Sequence, residues 1–179
     1  MNNEVTLEEL KEQVSTQKKA EEDKGDSLLL IVFKLGEEQY ALPIDQIKEV
    51  VLTPKIAKVP QTPDFVQGVA NIRGNLIAIL DLEEKFGIES IEDTEGENSG
   101  NYTLVIESDK FKIGILVKEV PNTLRTYAKN IDNSSGIMQY SSMDESCIKG
   151  IVKTESEMII LVDIISLMKD ESLAKISSL

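Results

Sequence analysis

Apolar positions run through this chain in three different rhythms. Residues 1–27 are largely polar and charged, and within them Leu7, Leu10 and Val14 trace a narrow stripe that predicts a short helix. Thr6 and Glu9 have capping-box spacing, with Val5 and Leu10 placed as a hydrophobic staple. So few apolar groups offset little ordering entropy, and this tail is expected to be loosely attached. From Leu28 the chain breaks into short apolar runs. "LLLIVFKL" and "QYALPI" flank "GEE", a hairpin with Gly36 in its turn, and "IKEVVL" (47–52) predicts a third strand. Pro54, Pro60 and Pro63 then oppose regular ladder pairing. "GVANIR" and "NLIAILDL" predict a strand pair around Gly74, and "EEKFG" a helical turn closed by Gly87. Within "NLIAILDL", Leu76, Ala78, Leu80 and Leu82 face one way and Ile77 and Ile79 the other, which predicts burial on both faces.

The second half repeats the theme. "NYTLVIES" and "KFKIGILV" flank a turn at Asp109, "KEVPNTLRTY" follows, and a polar interval leads to "CIKGIVKTESEMIILVDIISLM" (147–168). Ile148-Lys149-Gly150 parallels Ile72-Arg73-Gly74, and the apolar strand ending at Asp163 parallels the one ending at Asp81. "VKEV" (117–120) also echoes "IKEV" (47–50). The expected organisation is a tail (1–27), a first β-barrel subdomain (28–87), an acidic connecting loop (88–101), a second β-barrel subdomain (102–163) and a C-terminal helix within 164–179. Many short strands between Gly- and Pro-marked turns predict an all-β fold with minor α, built as two small packed barrels.

Charge and composition narrow the function. A net charge of −13 opposes nucleic-acid binding, and the absence of Trp opposes a base-stacking platform. No apolar run approaches the ~20 residues of a membrane helix, and the N-terminus lacks a signal-peptide pattern. With one cysteine, Cys147, the expectation is a cytoplasmic protein. The absence of His removes the commonest general base and metal ligand. The acidic loop lacks the ordered spacing of a calcium loop, so neither metal nor cofactor is expected. Asp81 and Asp163 form the one carboxylate pair open to hydrolytic chemistry, but each is better placed to cap the helical turn that follows it. Lys149 reads as a solvated edge charge. The sequence predicts a protein that is not an enzyme.

"FVQGVANIRGNLIAILDL" resembles the core signature of the bacterial chemotaxis coupling proteins, the CheW family, which runs approximately F-x-x-G-V-x-N-L-R-G-x-I-x-P-V-x-D-L. Phe65, Gly68, Val69, Asn71, Arg73, Gly74, Asp81 and Leu82 match it. "VFKLGEEQYALPIDQIKEVV", "GILVKEV" and "IKGIVKTESEMIILVDI" are similar to other parts of the family, so the likeness spans 28–170. Ala78 stands where the family usually has Pro, and Pro43 where many members have a small residue. The resemblance implies two intertwined, five-stranded SH3-like barrels and an adaptor role. Its partners would be chemoreceptor cytoplasmic tips and the regulatory domain of a sensor histidine kinase. It places Ile47, Glu49, Gly68, Asn71 and Arg73 in a receptor-binding groove and leaves the kinase contacts unassigned. Ile47 would supply apolar contact, Gly68 close backbone approach and Arg73 a fork of donors, with Asn71 holding the turn that aims Arg73. The competing role for Arg73 is a salt bridge to a local acid such as Asp64. A regulatory-domain relative from a kinase or a receiver-fused adaptor is the alternative within the class, and a hydrolase built on Asp81 and Asp163 the alternative outside it.

Overall fold

The computed structural model describes residues 6–17, 26–89, 102–133 and 147–169. Helix α1 (Leu7–Gln17) precedes β1 (Ser27–Leu35) and β2 (Glu38–Pro43), a hairpin turning on Gly36 at φ 57°. A 3-10 turn (Ile44–Gln46) leads to β3 (Ile47–Leu52). The proline-marked loop contributes only the two-residue β4 (Ile56–Ala57) before β5 (Val66–Ile72), β6 (Asn75–Leu80) and α2 (Leu82–Phe86). The second half supplies β7 (Tyr102–Glu107), β8 (Lys112–Val117), β9 (Asn122–Tyr127), β10 (Ile131–Asp132), β11 (Ile148–Lys153), β12 (Met158–Val162) and α3 (Ile164–Leu167). The acidic segment from residue 90 to 101 and everything after 169 lie outside the described residues. No helix among the described residues is long and apolar enough to cross a membrane.

Two six-stranded sheets result, ordered β10-β11-β12-β2-β1-β9 and β4-β5-β6-β8-β7-β3. Position by position they are counterparts. The pairs β12–β2 and β6–β8 are parallel, and in each the partners come from opposite halves of the chain. Each half therefore lends its opening hairpin to the other. The spans 28–87 and 102–163 delimit repeated segments of sequence, but neither is a separately hydrogen-bonded barrel. The reason is that a repeat marks chain segments, whereas sheet membership depends on which strand edges meet.

The register also revises the repeat. Gly150 corresponds to Gly68 and not to Gly74, because each sits at a bulge entering its long strand. Both glycines then lie thirteen residues before the capping aspartate, so the apparent difference in spacing disappears. Matching bonds close the ends: the Asp81 N–H donates to the Phe65 carbonyl at 2.8 Å and that of Asp163 to Cys147 at 2.7 Å. The echo between 47–50 and 117–120 is coincidental, since the counterpart of β3 is β9 and Val117 ends β8.

Alternation along the strands builds three apolar layers. Leu30 and Val32 on β1, Ala41 on β2, and Ile159 and Leu161 on β12 fill the first barrel. Ala70, Ile72, Ile77, Ile79 and Val105 fill the second, where Val51 packs against them. The intervening residues, among them Ile31, Phe33, Tyr40, Leu42, Ala78, Leu80, Leu104, Ile106 and Val162, form a larger layer shared by both. The central strand β6 is therefore buried on both faces, as its pattern predicts. Leu76 is the exception at 76% exposed. It stands beside the β5–β6 turn, ahead of Ala78, where pairing with β8 begins.

Helix α1 forms where the stripe and the capping-box spacing predict it. The Thr6 N–H donates to Glu9 Oε2 at 3.0 Å and the Glu9 N–H to Thr6 Oγ1 at 3.3 Å, completing the capping box. Leu7 packs against the shared layer.

Candidate functional site

The β5–β6 connection is a two-residue turn in which Arg73 and Gly74 both have positive φ, 51° and 84°. Such a turn matches the twist of the flanking strands, and Asn-Gly is its preferred sequence. A residue like Arg in the left-handed region costs on the order of 1–2 kcal/mol relative to glycine. Asn71 offsets part of that cost by accepting the Gly74 N–H on Oδ1 at 2.9 Å. Asn71 thereby braces the turn that carries Arg73.

Arg73 Nε donates to Glu49 Oε2 at 2.5 Å. The Arg73 side chain is 76% exposed, while that of Glu49 is only 16% exposed. The acid that orients Arg73 is thus Glu49, not Asp64. β3 and the β5–β6 turn lie far apart in sheet order, so this bond also records the curling of the sheet into a barrel. Next to Glu49, Lys48 reaches Glu107 at 2.8 Å. The hydrogen bond and attraction of Glu107 hold the Lys48 ammonium above its ordinary pKa, and the Lys48 bond holds the Glu107 carboxyl below its own.

The five residues implied by the resemblance separate into two groups. Glu49, Asn71 and Arg73 come together at one rim of the second barrel. Ile47 is 3% exposed and belongs to the shared layer, paired with Ile106. Gly68 is buried, and the close backbone approach it permits is internal: a Cβ there would lie 2.1 Å from the Ala57 carbonyl oxygen on β4. Leu76, opposite Asn71 in the β5–β6 ladder, adds an exposed apolar side chain to the rim. Its pattern position beside a turn signalled it, but the alternation of its strand assigned it to the core.

The carboxylates are caps. Asp81 accepts the Glu84 N–H at 3.2 Å on α2. Asp163 accepts the N–H groups of Ile165 and Ser166 at 3.1 and 3.2 Å and the Ser166 hydroxyl at 2.8 Å. Burial pushes the Asp163 carboxyl up, but the Ser166 bonds, the charge of Lys149 and the Ile165 N–H outweigh it, leaving its pKa below the ordinary range. Each aspartate follows the strand that its own sheet buries, and each performs the same structural task.

A CheW-like domain model matches residues 29–172. The chain belongs to the CheW-like family. The chemotaxis protein CheW of Helicobacter pylori is 28% identical over 168 residues, covering 91% of this chain and 98% of that protein. Its namesake in Klebsiella aerogenes is 28% identical over 148 residues, covering 83% and 86%. The crystal structure of scaffolding protein TtCheW from Thermoanaerobacter tengcongensis superposes with a TM-score of 0.67 at 28% identity, covering 80% of this chain and 89% of that one. The CheW-like match begins after α1, so this helix stands outside the segment the family model covers.

Proposed function

We propose that this protein is a chemotaxis adaptor without catalytic chemistry. It would couple the cytoplasmic tip of chemoreceptors to the regulatory domain of a sensor histidine kinase. The rim formed by Glu49, Asn71 and Arg73 is the receptor-facing surface in this reading. Ile47 and Gly68 support it from behind, one by anchoring β3 in the shared layer and the other by letting β4 close over β5.

One observation carries the reading. A long cationic side chain occupies a left-handed turn position that Asn or Gly would fill at lower cost, and it is held out toward solvent by a mostly buried acid. Strain of this kind points to a use for the side chain. With Nε on Glu49, the planar fork is pre-aimed and loses less freedom on meeting a carboxylate or carbonyl of a partner. Work would then be done through position: the protein holds two partners at fixed geometry. The test is co-sedimentation of the purified protein with a receptor tip and a kinase regulatory domain, singly and together. The reading requires that the protein bind each partner singly and join both in one ternary complex. Binding to neither partner would leave only the fold.

A further inference from the structure

Helix α1 covers a seam to which both sheets contribute. Leu7 and Leu10 line a cavity there with Ile31 on β1, Val50 on β3, Val120 and Pro121 just before β9, and Asn122 and Thr123 at its start. β1 and β9 belong to the first sheet and β3 to the second, so this is a groove between the barrels. The fit is incomplete, with a cavity of about 220 Å³ remaining between helix and groove. Val120 on its wall is still 58% exposed. The described part of α1 offers two apolar side chains to the groove, among Glu8, Glu9, Lys11 and Glu12. A short helix held by so few contacts gains little from docking. Its capping box nevertheless keeps it helical at the end that docks.

We propose that α1 is a displaceable occupant of the groove between the barrels, and that it sets how available the groove is. The partner that replaces it is an amphipathic helix carrying apolar side chains three residues apart, the pattern of Leu7 and Leu10 themselves. The identity of that partner as the receptor tip rests on the adaptor reading; the occupancy of the groove by α1 does not. A groove that is free only one time in ten binds its partner about tenfold more weakly than an open one.

The test uses the full chain and its Leu7→Asp/Leu10→Asp variant. Two probes are added separately: a receptor-tip helical hairpin, and a peptide with the sequence of residues 6–17. The expected result is about tenfold tighter tip binding by the variant. On the wild-type chain the tip should also speed hydrogen exchange at the α1 amides. Equal tip affinity for both proteins, or α1 amides that stay protected with the tip bound, would overturn the proposal. If the tip binds neither protein, the adaptor reading fails, and the peptide decides the occupancy alone. Peptide binding by the variant and not by the wild type supports it; equal binding, or none, overturns it. A Thr6→Ala/Glu9→Ala variant, which weakens α1 without placing charge in the groove, should shift every reading the same way by less.

Discussion

At the residue scale, two glycines and one aspartate show what a side chain does in each half of the repeat. Gly68→Ala would force a methyl group against the Ala57 carbonyl at a φ of 140°, and backbone cannot yield as a side chain can. It should cost more than about 2 kcal/mol. Gly150→Ala meets mostly the side chains of Asn133 and Ile131, with the Asp132 carbonyl at 3.0 Å, and should cost about 1–2 kcal/mol. Urea melts at unchanged slope would rank the two. Asp163→Ala should cost about 1 kcal/mol at neutral pH through the lost cap. Because the folded carboxyl titrates below its ordinary value of 3.8, that advantage of the wild type is complete above 3.8. It disappears as pH falls through the folded pKa, which paired melts at neutral and strongly acidic pH would detect. The caps and the turn glycines were legible in the sequence because they depend on neighbours a few residues away. The burial of Ile47 and the choice of Glu49 over Asp64 were not, because both depend on how a sheet curls.

At the scale of elements, the strands were readable nearly to their ends, since alternation and turn residues are local signals. Leu76 is the instructive exception: its alternation is correct for a core face, but it is paired with β5 alone, ahead of the point where β8 joins the sheet. Contacts between elements were hidden. The clearest is Glu83, a buried residue on α2. Its Oε1 accepts the Gly36 N–H of the β1–β2 turn at 2.9 Å, and Oε2 pairs with Lys118 beyond β8 at 3.0 Å. One carboxylate thus ties together a turn of the first sheet and the end of a strand in the second. Glu83→Ala leaves the Gly36 donor without its acceptor and should cost about 1–3 kcal/mol. Glu83→Gln keeps a carbonyl for that donor and should recover part of the loss in the same denaturant melts.

The whole molecule is governed by the hairpin exchange, which no sequence repeat could disclose. Each sheet needs strands from both halves, and the largest apolar layer belongs to neither alone. Unfolding should therefore be a single transition, with amides in the two sheets losing protection together. Segments 28–87 and 102–163 expressed apart should stay unfolded by circular dichroism and gain β signal only when mixed. A rigid, jointly stabilised body also suits a protein whose proposed work is to hold partners in place.

In the adaptor reading we propose, Arg73 is held out for a receptor and contributes little to the fold. The decisive comparison is the binding of Arg73→Ala to a receptor tip, measured beside its kinase-domain affinity and its melting temperature. A central interface Arg predicts a loss of about 2 kcal/mol, or roughly 30-fold in receptor affinity. Kinase-domain binding should hold. Stability should change by no more than ~1 kcal/mol, because the pair it forms is largely exposed on the Arg73 side. A large drop in melting temperature with receptor binding intact would mean that Arg73 serves the fold and not a receptor.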